Sequence, residues 1–250
     1  MSPRTSVTIT RDGVEDEVAV EDPLEIRVDG RPLAVTMRTP GEDEDLALGF
    51  LYGEGLIDGP HDVGLTEDLA ANIVEVKGPL LRDPGLRRFY TTSSCGVCGK
   101  GALEEVSVYA PKLPSGPVVA RELLAALPDR LRQPTFERTG GLHATGLFSS
   151  SGELELVRED VGRHNAMDKV IGAALRSGRL PLADSILCVS GRLAFELVQK
   201  AAVAGAPILV GVGAPTSLAV ELAADRAMTL AGFARGGRVN VYCGEERLAR

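Results

Sequence analysis

Apolar residues in the first forty positions recur at every second residue. Val7 with Ile9, Val18 with Val20, and Ile26 with Val28 mark successive strands, and Leu33, Val35 and Met37 mark another. Asp29-Gly30 separates the last two runs, and Asp-Gly between alternating segments is a strong hairpin signal because it accepts the positive φ angles of tight turns. The period then lengthens to that of a helix. Thr39-Pro40 reads as a cap and first helical position, and the acids at 42–45 suit the positive end of a helix. Leu46, Leu48, Phe50 and Leu51 carry the apolar face, which Gly53 and Gly55 end. With a further strand near 73–76, residues 1–88 read as a small α+β domain.

The second half alternates strands with helices. Segments 142–148 and 153–158 flank Ser149-Ser150-Ser151-Gly152 as a hairpin. Ala166, Met167, Val170, Ile171, Ala174 and Leu175 follow helical spacing, with Gly178 as the stop. Then come a strand at 186–189, a helix at 193–203, a strand at 208–212 and a helix from Thr216-Ser217 to about 227. Strands at 229–233 and 239–242 close the chain. Such alternation predicts parallel pairing under helices, an α/β sandwich over residues 89–250. Ligands collect at the carboxyl ends of strands in these sheets. The loops that fall there are Ser190-Gly191-Arg192, Gly213-Ala214-Pro215-Thr216 and Ala234-Arg235-Gly236-Gly237-Arg238. The Pro- and Gly-rich stretch 111–117 is the candidate connection between domains.

Composition narrows the function. At 250 residues the chain buries roughly 70–75% of its unfolded surface and needs no staples. No apolar run reaches the ~18 residues that cross a bilayer, and the N-terminus has no apolar signal core, so a cytoplasmic protein without a membrane role is expected. A net charge of −8 argues against a general nucleic-acid binder but leaves room for a local arginine site. Cys188 and Cys243 sit singly in apolar runs and read as small core residues.

The other two cysteines form a pair, Cys95-Gly96-Val97-Cys98, after Thr91-Thr92-Ser93-Ser94 and before Gly99-Lys100-Gly101. Structural zinc wants four ligands, and no second Cys pair exists; His61, His143 and His164 lie at no finger spacing. A thioredoxin-type dithiol wants an aromatic and a proline nearby, and the flanks here are Ser, Thr and Gly. A buried structural pair is the blandest reading, although flanking glycines favour an exposed, reactive backbone. A sulfur carrier is the remaining reading. An ordinary thiol is about 3% thiolate at pH 7, and lowering its pKa to ambient pH makes roughly half of it nucleophilic.

The chain resembles the formate dehydrogenase accessory sulfurtransferase family (FdhD). The resemblance runs through Thr92-Ser93-Ser94-Cys95-Gly96-Val97-Cys98-Gly99, Thr139-Gly140-Gly141-Leu142-His143-Ala144 and 158–166 with Asp168-Lys169. It continues through Ser190-Gly191-Arg192 and 229–238. It implies a cytidine-deaminase-like three-layer α/β sandwich behind the smaller N-terminal α+β domain, and a homodimer. It implies sulfur taken from a cysteine desulfurase as a persulfide on Cys95, with Cys98 its partner. Delivery would be to molybdenum bis(molybdopterin guanine dinucleotide) before that cofactor enters the catalytic subunit of formate dehydrogenase. Phe233, Ala234, Arg235, Gly236, Gly237 and Arg238 would hold the cofactor, for which GDP is an analogue, and no structural metal is expected.

On their own chemistry, Arg235 and Arg238 around Gly236-Gly237 could converge on a pyrophosphate, or be solvated arginines at a plain hairpin turn. Arg163 and His164 are either a polar pocket wall or a solvated helix start. His143 is a ligand contact or a structural histidine, and Arg192 a contact or a surface arginine. Two rivals stand beside the sulfurtransferase reading. A non-catalytic cofactor-binding chaperone would tolerate loss of Cys95. A zinc deaminase needs His-x-Glu before Pro-Cys-x-x-Cys, whereas His143-Ala144-Thr145 lacks the glutamate and Ser94 stands in place of proline.

Overall fold

The computed structural model describes residues 4–66, 72–82, 89–91, 110–113 and 115–249. They build a mixed α/β protein that divides into two compact units. The first gathers Met1–Cys98, Gln133–His143 and Glu159–Ser177; the second gathers Gly99–Arg132, Ala144–Arg158 and Gly178–Arg250. The first unit therefore takes two segments from the later half of the chain.

In the first unit, β1 (Ser6–Arg11) and β2 (Val14–Ala19) form a separate antiparallel ribbon. A five-stranded sheet follows, built from β3 (Asp22–Val28), β4 (Arg31–Arg38), β5 (Asp62–Leu65), β6 (Ile73–Lys77) and β7 (Phe89–Thr91), in the order β5-β6-β3-β4-β7. Asp29 and Gly30, both at positive φ, close the β3–β4 hairpin as the dipeptide predicts. The better-buried face of β4 is Ala34, Thr36 and Arg38, while Leu33 and Val35 are half-buried and Met37 is exposed. Cross-strand pairing of Ile26 with Ala34 and Leu24 with Thr36 sets that face. Its polar members are satisfied internally: Thr36 Oγ1 donates to Asn165 Oδ1, and Arg38 forks onto both carboxylate oxygens of Asp43 at 2.9 Å.

Helix α1 (Asp43–Gly53) begins later than Thr39-Pro40 suggests. Its cap is Glu42 at φ 52°, with no side-chain cap hydrogen bond. The Thr39 hydroxyl is used elsewhere, donating to Val20 O and accepting from Val161 N. α1 is buried along most of its length, and it packs against α4 (Arg163–Arg176) with glycines on both sides. A β-carbon at Gly49 would overlap the carbonyl of Asp168, and one at Gly172 that of Asp45. The short α3 (Pro134–Thr139) lies against the β1–β2 ribbon.

The second unit is organised by a six-stranded sheet in the order β13-β12-β11-β10-β8-β9. Its strands are β8 (His143–Ser149), β9 (Leu154–Asp160), β10 (Ser185–Val189), β11 (Ile208–Gly211), β12 (Thr229–Arg235) and β13 (Arg238–Cys243). Only β10, β11 and β12 pair in parallel, the two linked by α5 (Phe195–Val203) and α6 (Ser217–Asp225). The helix start at Thr216 is as the sequence suggests, since Thr216 Oγ1 accepts from Ala219 N. One face of the sheet packs Phe148, Ile186, Cys188, Ile208, Val210 and Ala231 against Leu124 of α2 (Arg121–Ala126) and the following Leu127.

The stretch expected to connect domains is laid on this unit instead. Leu113 is buried and its N–H donates to Arg226 O; Gly116 has no room for a β-carbon beside Pro207 and Arg247. Val119 then bridges Leu248 in parallel.

Candidate functional site

Cys95 and Cys98 lie outside the described residues, so the site is built from its other members. In the second unit, the loops leaving the carboxyl ends of β10, β11 and β12 are tied together by backbone hydrogen bonds. Ser190 and Ala144 exchange two bonds of 2.9 Å, one through Ser190 Oγ. Gly213 N donates to Gly191 O at 3.0 Å, Leu193 N to Ala214 O at 3.0 Å, and Phe233 N to Gly213 O at 3.1 Å. Gly213 is thus the hub that joins all three loops. A side chain there would meet the Arg192 backbone within 3.0 Å, and one at Gly232 would meet Gly213 O and the Tyr242 ring.

Phe233 occupies the left-handed region at φ 52°, where the β12–β13 pairing slips, and the residue is 50% exposed. Ala234 is fully buried. The chain then turns through Gly236 (φ 57°) and Gly237 (φ 74°), the two positive φ angles of the tightest hairpin turn. Arg235 and Arg238 face each other across that turn and both are exposed. Like charges directly opposite on paired strands are unfavourable, and an anion between them would reverse the sign. Arg192 is exposed on its loop before the uncapped start of α5.

The remaining expected residues, His143, Arg163 and His164, belong to the first unit. Arg163 and His164 open α4. The cap is Gly162, which offers no side chain, and the first turn holds no acid. Two basic groups at the positive end of a helix are arranged against the helix dipole, as an anion-binding start would be. The Arg163 Nε is buried without a hydrogen-bond partner among the described residues. Behind this turn lies Asp160, fully buried, with all its acceptor sites engaged. Its Oδ1 accepts from Gly162 N (2.8 Å) and Asn165 Nδ2 (3.0 Å), and its Oδ2 from Thr39 N (3.1 Å) and Lys169 Nζ (2.9 Å).

The sequence profile of the FdhD/NarQ family matches residues 19–249, nearly the whole chain. The chain belongs to the FdhD/NarQ family. Relatives of that family named Sulfur carrier protein FdhD agree over almost their full length. The Streptomyces coelicolor protein is 52% identical over 98% of this chain and 95% of its own. The Mycobacterium tuberculosis protein is 48% identical over 93% and 92%. A crystal structure of a chain assigned as a formate dehydrogenase accessory protein from Desulfotalea psychrophila superposes with a TM-score of 0.77 at 28% identity, covering 98% of both chains.

In this FdhD/NarQ chain, residue patterns alone did not single out Asp160, Asn165 or Thr39 as members of one network. Asp160 and Lys169 lie within the blocks that carry the resemblance, but nothing in a sequence says that a motif carboxylate is buried on a motif lysine. Among the described residues no three His, Cys, Asp or Glu side chains gather as metal ligands. The two described thiols are suppressed: burial pushes the pKa of Cys188 up, and partial burial raises that of Cys243. No helix of the described residues is long and apolar enough to cross a membrane.

Proposed function

We propose that the chain is a sulfur carrier serving formate dehydrogenase, with Cys95 as the atom-bearing residue. The observation that carries this reading is the pair Cys95-Gly96-Val97-Cys98 in a chain that matches, over residues 19–249, a family whose curated relatives are named sulfur carrier proteins. The suppressed thiols of Cys188 and Cys243 leave that pair as the chain's nucleophilic sulfur.

The thiolate of Cys95 attacks the outer sulfur of a cysteine desulfurase persulfide. A new S–S bond forms to Cys95 as the donor's S–S bond breaks, and the donor cysteine leaves as a thiolate. Cys98, three residues further along the sequence, is the partner thiol. The thiolate of Cys98 then attacks Cys95 Sγ, and a Cys95–Cys98 disulfide forms as the persulfide S–S bond breaks. The outer sulfur leaves as hydrosulfide to molybdenum bis(molybdopterin guanine dinucleotide), the cargo, before its insertion into the formate dehydrogenase catalytic subunit. A dithiol reductant then restores the pair. In the second unit, Arg235 and Arg238 offer two guanidinium forks to a pyrophosphate, and Phe233 an exposed ring to a flat heterocycle. In the first, the open start of α4 with Arg163 and His164 receives phosphate oxygens, with His143 as a further contact. Arg192 completes the set in the second.

Incubation with a cysteine desulfurase and cysteine, followed by intact-mass measurement, tests the carrier role. The wild type is expected to gain sulfur and Cys95→Ala to gain none at that position. A wild-type protein that stays at its starting mass would end the reading. A Cys95→Ala variant that still supports formate dehydrogenase would assign the chain as a cofactor-binding chaperone.

A further inference from the structure

We propose that Asp160 and Lys169 are a positioning pair that aims the first turn of α4, and with it Arg163 and His164, at the cargo's phosphates. This rests on the reading of Arg163 and His164 as cargo contacts and adds the residues that hold them in place.

The start of α4 lacks what normally secures a helix end. Gly162 brings no capping side chain, the first turn has no acid, and two basic residues oppose the dipole. An end so disposed frays unless something else anchors it, and here the anchor comes from behind. Asp160 Oδ1 takes Gly162 N and Asn165 Nδ2 together, doing from outside the helix what a cap does from its first residue. Asn165 extends the grip to β4, donating to Met37 O at 2.8 Å and accepting from Thr36 Oγ1 at 3.2 Å.

A carboxylate with no exposed surface is costly unless it is paired and every lone pair is used. Lys169 supplies that pairing one turn further along the same helix. Its three N–H groups meet Asp160 Oδ2 (2.9 Å), Thr39 O (2.9 Å) and Glu159 O (3.4 Å), and its side chain is 1% exposed. The ammonium therefore clamps the exits of β4 and β9 to α4 at one point. Such a fully satisfied buried pair is weak evidence for stability and better evidence for a fixed geometry. What it fixes is the turn that presents Arg163 and His164.

A double-mutant cycle on the full chain separates positioning from folding. Four proteins are compared: wild type, Lys169→Met, Arg163→Ala/His164→Ala and the triple variant. Each is read for GDP affinity by calorimetry, for sulfur uptake by mass, and for thermal midpoint. Lys169→Met is expected to bind GDP about tenfold more weakly, while its sulfur uptake per folded molecule stays at the wild-type level. The triple variant should bind no more weakly than Arg163→Ala/His164→Ala, since Lys169 acts only through those residues.

Losses that multiply in the triple variant, or uptake that falls in step with binding, overturn the proposal. Wild-type GDP binding by Lys169→Met, with weak binding by Arg163→Ala/His164→Ala, overturns it while leaving the cargo contacts standing. Wild-type binding by Arg163→Ala/His164→Ala removes those contacts and the proposal together. If Lys169→Met is not recovered folded, Asp160→Asn/Lys169→Gln removes both charges, strands neither, and enters the same cycle.

Discussion

Phe233 holds a backbone conformation at φ 52° that costs a residue with a β-carbon about 1 kcal/mol or more. The residue is half exposed, so burial offsets that cost only in part. Strain that burial offsets only in part is consistent with the ligand-facing role proposed for this residue. Phe233→Gly is therefore expected to leave stability level or raise it by up to about 1 kcal/mol in urea unfolding, while weakening GDP binding. A large loss of stability would instead mark the ring as a packing element. The thiols separate in the same way. Cys188 and Cys243 have pKa values raised by burial, so each carries less thiolate at neutral pH than a free cysteine. Alkylation of the native protein at neutral pH, mapped by peptide mass, should mark Cys95 and Cys98 well before either. Thr36 and Arg38 show why residue roles were only partly legible. Alternation located β4, but the face turned inward carries a threonine and an arginine, whose partners Asn165 and Asp43 no local pattern discloses.

The crossing of α1 and α4 gives the clearest prediction at the level of elements. Gly→Ala inside an ordinary helix stabilises by about 1 kcal/mol. At Gly49 and Gly172 the sign should invert, because each β-carbon would strike a carbonyl of the facing helix. Gly172→Ala is expected to lose about 1–3 kcal/mol, measurable by denaturant titration. The pair of substitutions should lose less than the sum, since the first already parts the helices. Turn chemistry and periodicity made most elements readable, including the Asp29-Gly30 and Gly236-Gly237 hairpins and the helix start near Thr216-Ser217. Two readings failed for one reason. Thr39-Pro40 looked like a cap and 111–117 like a linker, yet Thr39 is spent on Val20 and Val161, and Leu113 on Arg226. In both cases a distant partner outbid the local preference.

Over the molecule as a whole, the charge is unevenly shared. Residues 1–98 hold nineteen Asp and Glu against nine Lys and Arg, whereas 99–250 hold sixteen against eighteen. A net charge of −8 thus coexists with the exposed Arg235–Arg238 turn, because the acidity resides largely in the other part of the sequence. The mixed α/β class was legible from alternating periods. Which sheet each helix serves was not, since an apolar stripe specifies that a face is covered and never by what. The chain's path has a consequence for its biosynthesis. α1 emerges early, but its partner α4 is more than a hundred residues further on and belongs to the same compact unit. A nascent chain must therefore carry an apolar helix without its mate until Ser177 has left the ribosome, and a message truncated before that point encodes a product prone to aggregation and proteolysis.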